Sequence, residues 1–468
     1  MKTTAARFSM MTMDTYSVVS PSELGRVQLS KLQQKNDAYT VFAPSAGDEE
    51  SVLTVMEQQN LLLNPPEGTT ITEGYLCMKM TRYLQRLFRD DNVLLVNSEE
   101  NKWIVTLFEH PDNFMKPDFF LIRKGLQADR PETGSKALRN LRKLAENSDV
   151  PYSFGVLSDW RIRDCIVAII EFKMKLTEED FGKLMCYLQH LSRNDDESTY
   201  YGMVCDNIDV WLVSCSRGEA TFRIDTKWTT PGSAQCIRNF FKRNNWCKLL
   251  DKCLADFKVT LSESNSFLGC GSFGRVFSVI TEDGSQHALK IVYSKEDKAL
   301  TGVQSEVAAL RSIKSIGGHT VTVRNEPVYW MDPATRKISG IGYMMAEVGT
   351  AIQSEKKFRG ELVLMEEVFR ELCHLHTLRR YHGDPRLPNI IRYNGNLLWI
   401  DFMRANIEVT NDFDFQEIVK HDVNTLLQSI FGQTHNSNEI LSALNSYATA
   451  PSEATIVPLI KAILRWAV

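Results

Sequence analysis

No stretch of this sequence approaches the about 18 consecutive apolar residues that a membrane-spanning helix needs. The run from Ile166 to Ile170 stops at Glu171. The N-terminus has no continuous apolar core, so it is a poor secretory signal. The ten cysteines include no CxxC pair, which argues against a zinc site; scattered thiols in a chain this long are expected to be reduced, mostly buried and intracellular. There are no internal repeats and no long low-complexity tract. The net charge of −4 gives no global argument for nucleic-acid binding, although one basic face can hide inside a near-neutral total.

What is present is the balance of a globular protein, 43% hydrophobic and 24% charged, in a chain of 468 residues, enough for two or three domains. Residues 1–69 form a Ser/Thr-rich N-terminal region, broken at Pro44–Glu50 and at Asn64-Pro-Pro-Glu-Gly68. Periodicity then predicts a helix over Ile71–Phe88 and strands at Trp103–Phe108 and Phe119–Ile122. Lys136–Asn147 reads as a basic helix, a solvated face before a DNA contact. A strand (Cys165–Phe172), a helix (Glu178–Leu191), two strands (Met203–Asp206, Val210–Ser214) and a helix over 235–257 complete a first domain of residues 70–255. A second domain covers 256–468.

The second half carries Gly269-Cys-Gly271-Ser-Phe-Gly274-Arg-Val276. Glycines at this spacing also occur in dinucleotide folds, but there a helix follows. Here a strand, a turn at Glu282-Asp-Gly284 and a second strand (His287–Val292) follow, which is a hairpin flap over phosphates. Alternation sets Ala288 and Lys290 on one face of that second strand. Ala288 and Val276 then roof an adenine, Lys290 reaches the α and β phosphates, and Glu306 on the next helix pairs with Lys290.

Farther on, His382-Gly-Asp384-Pro-Arg386-Leu-Pro-Asn389 precedes Ile400-Asp401-Phe402. An Asp followed five residues later by an Asn, and then by an Asp-Phe pair, resembles the protein-kinase catalytic and metal-binding segments. The resemblance implies that Asp384 orients the attacking hydroxyl and accepts its proton, and that Asn389 and Asp401 hold Mg²⁺. Arg386 stands where kinases usually carry a phosphate-contacting lysine, keeping the charge on a planar fork. Gly383 replaces the arginine that reads a phosphorylated activation loop, and Met403 replaces the usual Gly. A short segment leads to Asp422, expected to open an apolar helix, Val423–Phe431.

In the first half, Lys116-Pro-Asp118 and Glu171-Phe-Lys173 resemble the PD-(D/E)xK nuclease core. Alternation sets Glu171 and Lys173 on one face with Phe172 turned into the core. The resemblance implies that Asp118 and Glu171 hold Mg²⁺ while Lys173 positions a hydroxide for DNA cleavage. Gly182-Lys183-xxx-Tyr187 follows where that family often has Gly-Gln-xxx-Tyr, and Glu73 or Glu67 is a further upstream acid. The insertion between Asp118 and Glu171 must loop out between neighbouring strands.

The expected fold is therefore an α/β restriction-endonuclease-like domain followed by an α+β bilobal protein-kinase-like domain. That pairing, with Arg386-Leu-Pro-Asn389, is similar to Crinkler-type effectors. The family implies ATP, Mg²⁺, DNA and a protein substrate or autophosphorylation, with action in the nucleus of a target cell. Two other readings stand beside it: an active kinase whose first half only binds nucleic acid or protein, and a binding protein with both folds catalytically dead.

Overall fold

The computed structural model of the chain describes residues 21–35, 39–43, 72–88, 93–97, 117–123, 166–192, 199–262, 266–270, 274–294, 297–331, 336–352, 362–405, 412–432 and 437–467. It is a mixed α/β protein that divides into two compact units, Met1–Lys248 and Leu249–Val468. The strand expected at 103–108 and the basic helix at 136–147 lie outside the described residues.

The first unit is a seven-stranded sheet covered on both faces. Its strands are β1 (Tyr39–Val41), β2 (Val93–Asn97), β3 (Phe119–Arg123), β4 (Ile166–Phe172), β5 (Thr199–Cys205), β6 (Asp209–Ser216) and β7 (Glu219–Lys227). They lie in the order β1-β7-β6-β5-β4-β3-β2, parallel at β4/β5 and β1/β7 and antiparallel elsewhere. A parallel neighbour requires a crossover, which the helix Glu178–Ser192 supplies between β4 and β5. Strand alternation then splits the core in two. Ile169, Val204 and Val213 pack toward this crossover helix and α1 (Pro21–Gln34). Ala168, Phe172 and Met203 pack toward α2 (Glu73–Leu87) and the helix Ser233–Phe241. In chain order the crossover helix is α3 and Ser233–Phe241 is α4.

Five elements of this unit depart from the sequence expectation: β1 and β2 were not predicted, and three others differ as follows. Helix α1 was not predicted because two of its three buried positions, Gly25, Gln28 and Leu32, are not apolar. Gln28 instead accepts the Ala220 N–H at 3.0 Å. The single helix expected over 235–257 is two, α4 and α5 (Asn245–Phe257). Asn244 ends the first turn region and caps the second helix, its carbonyl accepting from Lys248 N and its side chain from Cys247 N. Strand β7 adds a third antiparallel rung after Val210–Ser214.

The second unit opens with a six-stranded antiparallel sheet of β8 (Val259–Leu261), β9 (Phe267–Cys270), β10 (Gly274–Thr281), β11 (Gln286–Tyr293), β12 (Val328–Met331) and β13 (Ile338–Met345). The path is β12-β13-β11-β10-β8, with β9 beside β10. Helix α6 (Asp297–Ser315) packs against β11 and β13. A three-stranded sheet, β14 (Thr350–Ala351), β15 (Ile390–Tyr393) and β16 (Asn396–Trp399), follows with helices α7 (Leu362–Thr377), α8 (Asp412–Phe431), α9 (Asn438–Thr449) and α10 (Glu453–Ala467). One continuous apolar core joins these elements, from Val292 and Tyr343 to Leu426 and Leu459. Asp422 does not open a helix: it is buried in the middle of α8, which begins ten residues earlier. No helix among the described residues is long and apolar enough to cross a membrane.

Candidate active sites

In the first unit, antiparallel pairing of Phe119 with Ile170 carries Asp118 and Glu171 to the same end of the sheet. Asp118 N–H donates to Glu171 Oε2 at 3.2 Å, and Phe172 N–H donates to Asp118 Oδ2 at 2.6 Å. Lys173 Nζ lies 2.9 Å from Glu171 Oε1 and 4.0 Å from Asp118 Oδ2. Its backbone N–H donates to Cys205 O, extending the β4/β5 ladder by one residue. Arg123 ends β3 and Ile166 begins β4 at the end of the strand pair opposite the carboxylates.

Glu171 is only 4% exposed. Burial and then the charge of Asp118 push its carboxyl up to about 8, and Lys173 only partly offsets them. Tyr187 of α3 faces the same cluster, its hydroxyl held above the ordinary value by burial and by the charges of Glu171 and Asp118. Lys183 does not join it. It lies 3.2 Å from Glu179 Oε1, an i,i+4 pair on the outer face of α3. Glu73 is the first residue of α2, and Glu67 lies outside the described residues.

In the second unit the hairpin forms in the expected register, with Val276 opposite Lys290 and Ser278 opposite Ala288. Val276, Ala288 and Lys290 therefore share the face turned to the core. Gly269 ends in β9 and Gly271 lies outside the described residues. At Gly274 a Cβ would stand 3.0 Å from Val292 Cγ2 and 3.2 Å from Ile291 O, tighter than most Cβ contacts, so β10 lies close against β11 there.

Lys290 spends all three ammonium donors on carboxylates, at 2.9 and 2.8 Å to Glu306 of α6 and at 3.0 Å to Asp401. Burial would push the ammonium down, but Asp401 and Glu306 outweigh it and hold it well above the ordinary lysine value. Lys290 in turn holds Asp401 below the usual carboxylate range against the opposing effect of burial. Asp401 has φ 66°, a left-handed backbone that Asp tolerates and that is common at functional sites.

The loop 384–389 is tied to that carboxylate through its neighbour. Asn389 Nδ2 donates to Asp384 O at 2.9 Å, and Ile400 N–H donates to Asn389 O at 3.0 Å. His382 makes the second tie. Asp384 N–H donates to its Nδ1 (3.2 Å), so the proton sits on Nε2 and is donated to Ile400 O at 2.9 Å. Burial lowers the pKa of this imidazole, consistent with a neutral ring. Asp422 closes the base of the loop by accepting His382 N–H at 2.8 Å and Gly383 N–H at 3.0 Å. Arg386 grips Asp384 with its fork, Nε at 2.7 Å from one oxygen and NH2 at 2.7 Å from the other.

Gly383 has φ 78°, and a Cβ there would stand 2.7 Å from Arg404 O. The backbone beyond Asp401 thus crosses where a side chain at 383 would be. His382 is the residue of this site whose role sequence reasoning missed; its signal was its place two residues before Asp384.

Each centre offers hard oxygen donors, Asp118 with Glu171 and Asp401 with Asn389. Among the described residues no group of three or more His, Cys, Asp and Glu is placed to hold a metal ion. Two protein ligands with phosphate oxygens and water filling the shell is the usual habit of Mg²⁺, so both donor sets fit that ion. No protein-family model matches the chain, and no curated protein matches it either.

Proposed function

We propose that the second unit is an ATP-dependent phosphotransferase of the protein-kinase type and the first a Mg²⁺-dependent nuclease of the PD-(D/E)xK type, joined as in Crinkler-type effectors. The observation that carries the reading is the meeting of Lys290, Glu306 and Asp401, with Asp384 and Asn389 tied to Asp401 through Ile400. These residues come from four separate stretches of chain, a strand, a helix and two loops, and their convergence supports the reading.

In this mechanism Lys290 exchanges a carboxylate for the α and β phosphates of ATP, while Glu306 keeps it oriented. Asp384 accepts the hydroxyl proton of the acceptor once Arg386 turns to the transferring phosphoryl group. A magnesium ion on Asp401 and Asn389 would neutralise charge developing on the phosphate oxygens. Acceptor and nucleotide are positioned rather than covalently activated, so placement and charge supply most of the rate.

In the first unit, Lys173 orients a water for attack on the phosphodiester and stabilises negative charge on its oxygens. Asp118 and Glu171 would hold the Mg²⁺ that lowers the pKa of that water. Protein or autophosphorylation as the acceptor, DNA as the substrate and a nuclear site of action belong to this same proposal.

One incubation tests both halves: purified protein with supercoiled DNA and Mg²⁺, with and without radiolabelled ATP. Nicking together with label transfer is expected. Label transfer without nicking would leave the first unit as a binding module, and neither would leave a binding protein.

A further inference from the structure

The end of the sheet that holds Asp118, Glu171 and Lys173 also carries two large apolar side chains at the surface. Met174 directly follows Lys173 and is 46% exposed, and Ile208, in the turn between β5 and β6, is 43% exposed. The parallel pairing of Phe172 with Cys205 brings the end of β4 beside that turn. Single exposed apolar residues are ordinary on a protein surface. These two differ in how firmly their backbone is held. The buried Asp206 carboxylate accepts Leu176 N–H at 3.0 Å through one oxygen. Through the other it accepts the N–H groups of Ile208 and Asp209, both at 2.7 Å. Ile208 O in turn accepts Trp228 N–H at 3.1 Å, and Asp206 O accepts the Trp228 indole N–H at 2.7 Å. One carboxylate thus ties the segment after Lys173 to the β5–β6 turn, and Met174 and Ile208 stand on backbone fixed by it.

Two exposed apolar side chains, held beside a cationic centre, suit a ligand whose apolar faces alternate with anionic groups. Nucleic acid has that pattern, with bases flanked by phosphates. Lys175, exposed next to Met174, adds a phosphate contact to the one offered by Lys173. We propose that Met174 and Ile208 form a wedge that enters DNA next to the scissile phosphate and unstacks the bases there. Apolar side chains pressed between base steps kink a duplex, and the loss of stacking is repaid by the wider contact that the kink allows. This inference rests on the nuclease reading of the first unit and adds how that unit deforms its substrate.

The test uses the full chain with Ca²⁺, so that binding is read without cutting. The probe is a short duplex with 2-aminopurine spread along one strand, whose fluorescence rises when its neighbours unstack. Wild type is expected to raise that fluorescence severalfold on binding. The double variant Met174→Ser, Ile208→Ser changes two exposed side chains and spares the core. It is expected to lose the rise while its Kd by anisotropy weakens by less than about tenfold, since phosphate contacts carry most of the affinity. A mismatch placed in the duplex removes part of the stacking beforehand, so it should tighten binding by wild type and not by the double variant. A rise that survives in the double variant, or wild type that binds the duplex with no rise, overturns the inference and leaves the nuclease reading standing. Wild type that neither binds the duplex nor nicks supercoiled DNA removes the nuclease reading first and the wedge with it.

Discussion

Asp118 and Glu171 each accept a hydrogen bond from the backbone beside the other, Asp118 N–H to Glu171 Oε2 and Phe172 N–H to Asp118 Oδ2. This reciprocal clasp fixes Glu171 within β4 and Asp118 at the residue that leads into its paired strand β3. Two acids are held close in a buried place, with Lys173 as the cation beside them. Such an arrangement is costly without a further positive charge, and a divalent ion supplies one.

Replacement of Asp118, Glu171 or Lys173 by alanine is therefore expected to reduce metal-dependent DNA nicking by about a hundredfold or more. Calcium should support binding without cutting, since its geometry is looser. DNA binding by Glu171→Ala, followed by fluorescence anisotropy, should persist and weaken with salt. Wild type nicking no faster than these variants would refute a retained nuclease.

The raised pKa of Glu171 sets the pH dependence. Its carboxyl ordinarily titrates near 4.5 and here near 8, so the metal-free fold prefers the protonated form. The stability this contributes is complete below about pH 4.5 and is lost as pH rises toward 8. Mg²⁺ needs the ionised form, so its affinity should rise about tenfold per pH unit below 8 and level off above. Melting curves from pH 5 to 9, with and without Mg²⁺, measure both slopes, and Glu171→Gln should flatten them.

Lys290→Ala is expected to abolish phosphoryl transfer. It also leaves the buried Glu306 and the neighbouring Asp401 without their cation, at a cost of about 3 kcal/mol of stability. Asp401→Ala should remove transfer with less effect on stability, because one of the two acids around Lys290 remains. Label incorporation and urea melts separate the two effects. Equal melts for wild type and Lys290→Ala would mean that the Lys290–Glu306 pair contributes nothing net.

Asp384→Asn should stop catalysis while nucleotide-induced thermal stabilisation persists, since Asp384 contacts Arg386 and not the Lys290 cluster. Loss of that stabilisation would assign Asp384 another role. Phosphatase treatment should leave basal activity unchanged, because Arg404 backbone occupies the space beside Gly383. Gly383→Ala should destabilise the protein by about 2 kcal/mol or more through its left-handed φ and that clash.

Much of both centres was legible in the sequence. The Lys290 strand, the Asp384–Asn389 loop and the Glu171–Phe172–Lys173 alternation depend on residue type and local period, which a sequence displays directly. What was not legible depended on tertiary contact. Helix α1 buries Gly25 and Gln28 beside Leu32, so its buried face does not read as an apolar stripe. Asp422 looked like a helix cap but is an interior carboxylate that holds two loop amides.

Arg123 ends β3 and Ile166 begins β4 at the far end of the sheet, away from Asp118 and Glu171. The number of residues separating the two acids along the chain is then a free parameter of the fold. Any length that starts and finishes at that far end keeps the clasp intact. The two-residue step from Glu171 to Lys173 has no such freedom, because one added residue would turn the lysine to the opposite face of the sheet. A search for related chains that fixes the first interval would miss them; one that fixes the second and the strand order would not.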